Sequence, residues 1–481
     1  MRTWLALGAS AMVAAVLGVS LQSITTTAQQ PPPAATVTAK AWDQILGPAE
    51  GTIPPPRPSV GSVFVLPTHR QATARTNIEW ESDLKKALVT AKRENRPVFV
   101  TLRCLPCKSC SEFDKAVLEG GADLDPLFRQ FVTVRLTSTK DIDFRLLPMD
   151  QFQDMDVSWW SWFISPEGRV YGVFGGRDKS GDETRTSKAS LVATMKRVLA
   201  HHYDPRRPAW DIDGPAPVTT GEPTTPMDLP GFGSWLSLGN NKEMFNHHGC
   251  IHCHQTSEIL RQGEIDAGRF DKRRDLQPWP FPENIGVVVN RDDGLAVQQV
   301  RPGSPAAAIG IRSGDLIAAA GGRRLFSQAD LRAVLHRAPL GNAKIEIVWL
   351  RGGKPMTGTL DLADGWRKTD LSWRASVSEG NVGARPGFWP GEAGAARARL
   401  GIANDTMAVK PFIGPKMQSP AISAGLKGTD VVTAVNGQSP PIANREWNIW
   451  FRMMFEPGDA VTLTVRSADG KERQINFKTD R

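Results

Sequence analysis

The sequence predicts a multidomain α/β plus β chain: one α/β domain, a short helical segment, and two small β-barrel/α domains. Three observations predict it. All five cysteines fall in two tight clusters, at 104–110 and 250–253. Pro-rich breaks divide the 481 residues into four units. A Ser-Pro-Ala…Asp motif, with Gly just before the Asp, recurs more loosely after about 115 residues, at 304–315 and 419–430. Hydrophobic residues at 40% and charged residues at 22% exclude a wholly disordered or polytopic membrane chain. The net charge of +8 comes without a dense Lys/Arg block, so nucleic acid is not an expected partner.

Taken in order, residues 1–28 read as a secretory signal. Arg2 is followed by an apolar run from Trp4 to Leu21 and small residues up to Ala28. After cleavage no integral membrane segment is expected, and the protein should lie outside the cytoplasm, in the periplasm, where disulfides persist. Residues 29–76 are rich in Pro, Thr and Ala and read as an extended spacer. Similar breaks are expected at 204–230 and 366–394. The folded units are then 77–203, 231–281, 282–365 and 395–481.

In the first unit, Leu84, Ala87, Leu88 and Ala91 recur at helical spacing. The buried-strand run after Pro97 leads into Cys104-Leu-Pro-Cys107-Lys-Ser-Cys110 and a second helical run through Phe113 and Leu118. Residues 128–136 read as a strand, and 162–174 as a hairpin around Pro-Glu-Gly168. A closing helix is expected over 191–202. This order resembles the thioredoxin-like family, especially secreted members with an extra N-terminal helix. The resemblance implies that Cys107 and Cys110 are the redox-active pair and that Cys104 is an additional thiol. One departure stands out. The family's cis-proline has no counterpart in Val157-Ser-Trp-Trp-Ser161, which is Trp-rich instead. Three readings stay open for Cys104, Cys107 and Cys110: redox thiols, ligands for copper or zinc, or a structural disulfide.

The second cluster is Cys250-Ile-His-Cys253-His254. Cys-x-x-Cys-His is the attachment motif of covalent haem c, with His254 as the metal ligand below the iron. No Met or His lies between Gln255 and Leu335. Met244 is the expected sixth ligand, with Met227 behind it. Zinc or copper bound by these Cys and His residues is the alternative, and a plain disulfide the third.

Residues 282–365 resemble PDZ domains of the exported-protease type, through Ile285-Gly286-Val287, Pro302-Gly-Ser-Pro-Ala306 and Gly314-Asp-Leu-Ile317. The second unit repeats the pattern through Leu400-Gly401-Ile402, Ser419-Pro-Ala421 and Gly428-Thr-Asp430. The resemblance implies peptide binding at Ile285, Gly286 and Val287, and at Leu400, Gly401 and Ile402. Leu331 and Leu335 either line the first groove or belong to its core. The partners would be extracytoplasmic proteins or peptide C-termini, together with an electron-transfer partner. No nucleophile motif of a serine protease is present. The expected function is redox or electron transfer on docked proteins, with thiol–disulfide oxidoreductase as the enzyme class. The alternatives are a non-enzymatic PDZ scaffold and a protein that senses or delivers metal or haem.

Overall fold

The computed structural model describes residues 39–46, 78–104, 107–119, 124–157, 159–249, 251–378 and 383–480. The expected signal segment, most of the 29–76 spacer and Cys250 lie outside the described residues.

The first unit is built on a four-stranded sheet. Its strands are β1 (Val98–Leu102), β2 (Val132–Leu136), β3 (Trp160–Ile164) and β4 (Val170–Gly175), in the order β2-β1-β3-β4. β1 runs parallel to β2 and antiparallel to β3. Every residue of β1 is buried, as a continuous apolar run flanked by helices requires. The helix Leu84–Glu94 starts where the Asp83 carboxylate accepts the N–H groups of Lys85 and Lys86, and stops at Asn95 in the left-handed region. Ser187 caps the closing helix Lys188–His202. The Trp-rich stretch is core: Trp159, Trp160 and Trp162 are all buried, and Trp159 stacks on Phe113 at 3.6 Å.

The helical unit follows with Phe232–Leu236, Asn241–His248, Cys253–Asp266 and Lys272–Asp275. Its own core is small: Trp235, Ile251 and Ile259 with a few half-buried neighbours. The next unit holds β5 (Val287–Val289) paired with β6 (Val297–Val300), and β7 (Leu316–Ala320), β8 (Arg323–Arg324), β9 (Ala343–Arg351) and β10 (Lys354–Leu362) in the order β10-β9-β7-β8. The last unit holds β11 (Trp389–Glu392), β12 (Val409–Phe412), β13 (Val431–Val435), β14 (Ala460–Arg466) and β15 (Glu472–Lys478), paired in sequence order. Both units share an order of two strands, a Ser-capped Pro helix, a strand, a longer helix and a hairpin, to which the former adds β8 and the latter helix Ala395–Arg399. The Pro helices are Pro305–Ala308 and Pro420–Ser423, and the longer ones Gln328–Arg337 and Asn444–Met454.

All three expected spacers contain packed residues. Helix Ala39–Leu46 lies within the expected 29–76 spacer, and its Trp42 and Ile45 are buried with Ile212, Ala319 and Val348. Within 204–230, the Gly214 N–H bonds Val170 O at 2.7 Å and the Val218 N–H bonds Arg145 O at 3.1 Å. Within 366–394, Arg374 is fully buried and β11 already belongs to the last sheet, so that unit begins before 395. Prolines break helical and strand periodicity but do not prevent burial, provided neighbouring units satisfy the backbone.

Charged side chains join the units. Arg374 bonds Asp154 at 2.8 and 3.0 Å and Asp156 at 3.1 Å. Arg332, from helix Gln328–Arg337, also bonds Asp154. Asp156 accepts the Ser376 N–H at 2.9 Å, and the Ser376 carbonyl accepts from Arg261 of the helical unit at 2.7 Å. The same helix Gln328–Arg337 covers the edge of the first sheet: Asp330 accepts the β4 Val173 N–H at 2.8 Å, and Ser327 donates to Val173 O. An otherwise open strand edge is thereby closed.

Two buried histidines and the half-buried His336 make the fold acid-sensitive. His202 donates to Asn95 O and accepts from the Tyr171 hydroxyl; His201 bonds Asp213 at 2.7 Å; His336 stacks on Trp279. Burial holds all three below the ordinary imidazole value: His202 at about 4, His336 well below 6.5, and His201 lowered although Asp213 opposes the shift. Between pH 6.5 and 4 the unfolded chain therefore binds protons that the native chain refuses. Stability should fall as the pH drops through this window, by about 3 kcal/mol for His202 alone at ~1.4 kcal/mol per pKa unit. Urea midpoints measured from pH 7.5 to 4.5 check this; a flat profile would contradict it.

Candidate functional site

The first site grows from the end of β1. After Leu102 the chain turns so that the Cys107 N–H bonds Cys104 O at 3.0 Å. Cys107 then caps helix Lys108–Phe113 from extended backbone, and its Sγ accepts the Cys110 N–H at 3.2 Å. Cys104 and Cys110 are buried, whereas Cys107 is half-exposed. The hydrogen bond from the Cys110 thiol, helped by the Cys110 and Ser109 N–H groups, lowers the Cys107 thiol to about 7; burial and the Asp182 carboxylate oppose it. Donation of that same hydrogen bond, followed by burial, pushes Cys110 far up. The pair is thus split into an accessible thiolate and a buried thiol, the division of labour that disulfide exchange needs.

Sequence reasoning missed a fourth member. Cys253, from the second cluster, packs against the core of the first unit. Burial, and then the nearby Cys104, push its thiol up to about 12, with Cys107 adding to the shift and Trp160 acting against it. Cys104, Cys107 and Cys253 all influence Cys110. The loop before Cys253 is fixed there: the Thr139 hydroxyl donates to Ile251 O at 2.6 Å. Local patterning carries no signal for a contact between residues about 145 apart.

His254 follows a different course. Its Nδ1 lies 3.2 Å from Glu258 Oε1, one helical turn on, and Glu258 also accepts from the Trp235 indole at 3.0 Å. His254 and Met244 line a cleft of about 380 Å3 shared with the last unit. The fit to haem c is therefore poor in this arrangement. A haem thioether would have to form at Cys253, whose thiol lies among Cys104, Cys107 and Trp160, while the iron ligand of the same motif lines another cavity. For copper or zinc, no group of three Cys, His, Asp or Glu side chains stands ready to hold a metal ion among the described residues.

The opposite wall of this cleft is Arg385, Gly387, Phe388, Trp389, Ser419, Asn448 and Arg452. Gly387 adopts φ +80°, and a Cβ there would come within 2.5 Å of Ser419 Oγ. Gly286, at φ +89°, stands in the same relation to Ser304 Oγ, at 2.1 Å. Gly387, not Gly401, is therefore the positional equivalent of Gly286. A Cβ on Gly401 meets nothing within 4 Å, and Leu400–Ile402 follows helix Ala395–Arg399, with Ile402 packed on Ala393 and Ala408. In the unit from β5 to β10, Ile285, Val287, Leu331 and Leu335 are all buried in one core, and helix Gln328–Arg337 is buried from Gln328 through Leu335. The last unit instead leaves its loop open, with Trp389 51% exposed. Burial holds Arg452 down at about 10, and Arg385 and Arg261 add to that shift. The His201–Asp213 pair is no hydrolytic dyad: His201 is 1% exposed and is flanked by Arg324.

A sheet of order β2-β1-β3-β4 with a thiol pair at the helix after β1 defines a thioredoxin-like domain, and the unit from β5 to β10 has the arrangement of a PDZ domain. Family models agree on both: one described as thioredoxin-like matches residues 79–145, and one for the PDZ domain matches 284–362. Among individual proteins, the chain is similar to the periplasmic serine endoprotease DegP of Salmonella typhimurium, 33% identical over 189 residues, 39% of this chain and 35% of that protein. DegP of Escherichia coli K12 is 30% identical over 184 residues, 38% of this chain and 35% of that one. The periplasmic pH-dependent serine endoprotease DegQ of the same strain is 31% identical over 186 residues, 37% and 36%. The chain thus spans about a third of the length of these relatives.

Proposed function

We propose that this chain is an extracytoplasmic thiol–disulfide exchange protein that docks its partners through PDZ-like modules. The carrying observation is the Cys107–Cys110 pair, with an accessible thiol lowered to about 7 and a buried partner bonded to it. Periplasmic relatives support the location, and no described helix is long and apolar enough to cross a membrane. The cysteines and the thioredoxin-like match favour thiol chemistry over the hydrolysis named for those relatives. Full-length protein should reduce an insulin-type disulfide substrate in the presence of a thiol donor, and Cys107→Ser should lower that rate at least 100-fold, on the order expected for a lost nucleophile. An inert wild-type protein would refute the assignment.

Docking is assigned to the open cleft of the last unit, read as a second PDZ-like module. Its loop Arg385–Phe388 and the buried Arg452 suit a terminal carboxylate, and the apolar face of Trp389 suits an adjacent side chain. A peptide with a free carboxyl terminus should bind at least tenfold more tightly than its amide, as expected for loss of a charge-assisted contact of roughly 1.5 kcal/mol or more. Gly387→Val should abolish binding. Equal affinity for acid and amide, measured by fluorescence anisotropy, would count against it. Haem c at Cys250, Cys253 and His254 keeps only the support of its motif.

A further inference from the structure

We infer that Cys104 and Cys253 form a second dithiol–disulfide couple, fed by the Cys107–Cys110 disulfide, which clamps the helical unit to the thioredoxin-like domain when oxidised. This rests on the redox reading above. Four thiols from two distant segments share one packed region: Cys104 and Cys110 are core, and Cys107 and Cys253 pack against that core. Two further contacts hold the segments together. Thr139 grips Ile251 O, two residues before Cys253. The Lys140 ammonium lies over the Phe245 ring at 6.0 Å.

The exchange balances within one chain. An external small-molecule disulfide, such as oxidised glutathione, first converts Cys107 and Cys110 to their disulfide and leaves as two thiols. Cys253, on losing its proton, attacks Cys107 Sγ. The Cys107–Cys110 bond breaks, and Cys110 leaves and takes a proton. Cys104 then loses its proton and attacks Cys253 Sγ. The Cys104–Cys253 bond forms, and Cys107 leaves as a thiolate, the second proton passing to solvent. Two electrons have moved from Cys104/Cys253 to Cys107/Cys110. The direction follows access: Cys107 is half-exposed and meets the external disulfide first, whereas Cys104 is buried and is oxidised only through the internal exchange.

The test is disulfide mapping on the full chain. Protein is equilibrated with graded oxidised glutathione, alkylated, digested without reductant and analysed by mass spectrometry. The expected product is a peptide pair linked through Cys104 and Cys253, formed at least tenfold more slowly in Cys107→Ser. A Cys250–Cys253 link as the dominant product, or a haem thioether on Cys253, overturns the inference. Formation of the Cys104–Cys253 link at an unchanged rate in Cys107→Ser overturns the feeding step. Mapping of the unmutated chain does not depend on a variant folding. If Cys107 still exchanges with external disulfide while no Cys104–Cys253 link appears, this inference fails and the redox reading stands. If Cys107 exchanges with nothing, the redox reading itself fails.

Discussion

Asp154→Ala should destabilise the protein by about 3–5 kcal/mol, because it strands buried guanidinium groups rather than deleting one surface contact. Asp154 is 5% exposed and is bonded by Arg374, itself fully buried, and by Arg332, at 1%. Burial alone would raise its carboxyl; Arg374 and Arg332 overcome that and hold it below the usual carboxylate range. The pair therefore stabilises the fold above the ordinary Asp value of 3.8 and loses that contribution as pH falls through the lower native value. The consequence extends beyond one domain. Asp154 belongs to the thioredoxin-like unit, Arg332 to the PDZ unit and Arg374 to the connector behind it. Loss of Asp154 should expose that connector, residues 366–378, to proteolysis while leaving the far-UV spectrum nearly intact. The solvent-exposed pair Asp469–Lys471 gives the contrast: Asp469→Ala should change stability by no more than about 0.5 kcal/mol. Equal effects of the two substitutions in chemical denaturation would sink the argument.

What the sequence revealed was decided by periodicity and by short-range chemistry. The apolar run of β1, the helix over Leu84–Glu94, the hairpin around Gly168 and Cys107 at a helix start are all local features, and local pattern located them. What it hid was long-range. Cys253 reads as half of a haem motif because its neighbours Cys250 and His254 are adjacent in the chain. Its spatial neighbours Cys104 and Cys107 leave no trace at that distance. Chain spacing and backbone packing point to different glycines as the counterpart of Gly286 in the last unit. Gly401 precedes Ser419 by 18 residues, the same interval that separates Gly286 from Ser304. Gly387, whose backbone lies against Ser419, precedes it by 32. The extra residues between β11 and β12 hold helix Ala395–Arg399 and its return loop. Conserved spacing thus pointed to the insertion, whereas the steric test, a Cβ that would strike the serine, identifies the loop. The joined buried arginines carry no local signal either, since Arg332 and Arg374 meet their partner Asp154 only through the tertiary fold.

Alkylation of Cys107 by iodoacetamide should rise with pH around a midpoint near 7, about two units below an ordinary thiol. At pH 7 an unperturbed thiol with a value of 9.0 is about 1% thiolate, whereas Cys107 is about half ionised, roughly a 50-fold advantage in reactive form. Intrinsic nucleophilicity falls with proton affinity, with a slope of about 0.4–0.5, which returns roughly eightfold of that gain. The net expectation is alkylation about sixfold faster than a model thiol at pH 7, and slower than it above pH 9. Half-exposure of Cys107 permits the reaction, while burial of Cys104 and Cys110 suppresses theirs, so mass spectrometry assigns the fast site. Cys110→Ala is the decisive variant. It removes the thiol donor that contributes most to lowering Cys107 but keeps the Cys110 N–H, so the midpoint should move upward toward 9 without becoming that of a free thiol. An unchanged midpoint in Cys110→Ala would place the source of the shift elsewhere, and a wild-type midpoint near 9 would remove the physical basis for calling Cys107 the nucleophile. Helix geometry alone does not distinguish these outcomes, because Cys107 caps Lys108–Phe113 in both proteins. The variant therefore separates the hydrogen bond between the two sulfurs from the helix that carries them.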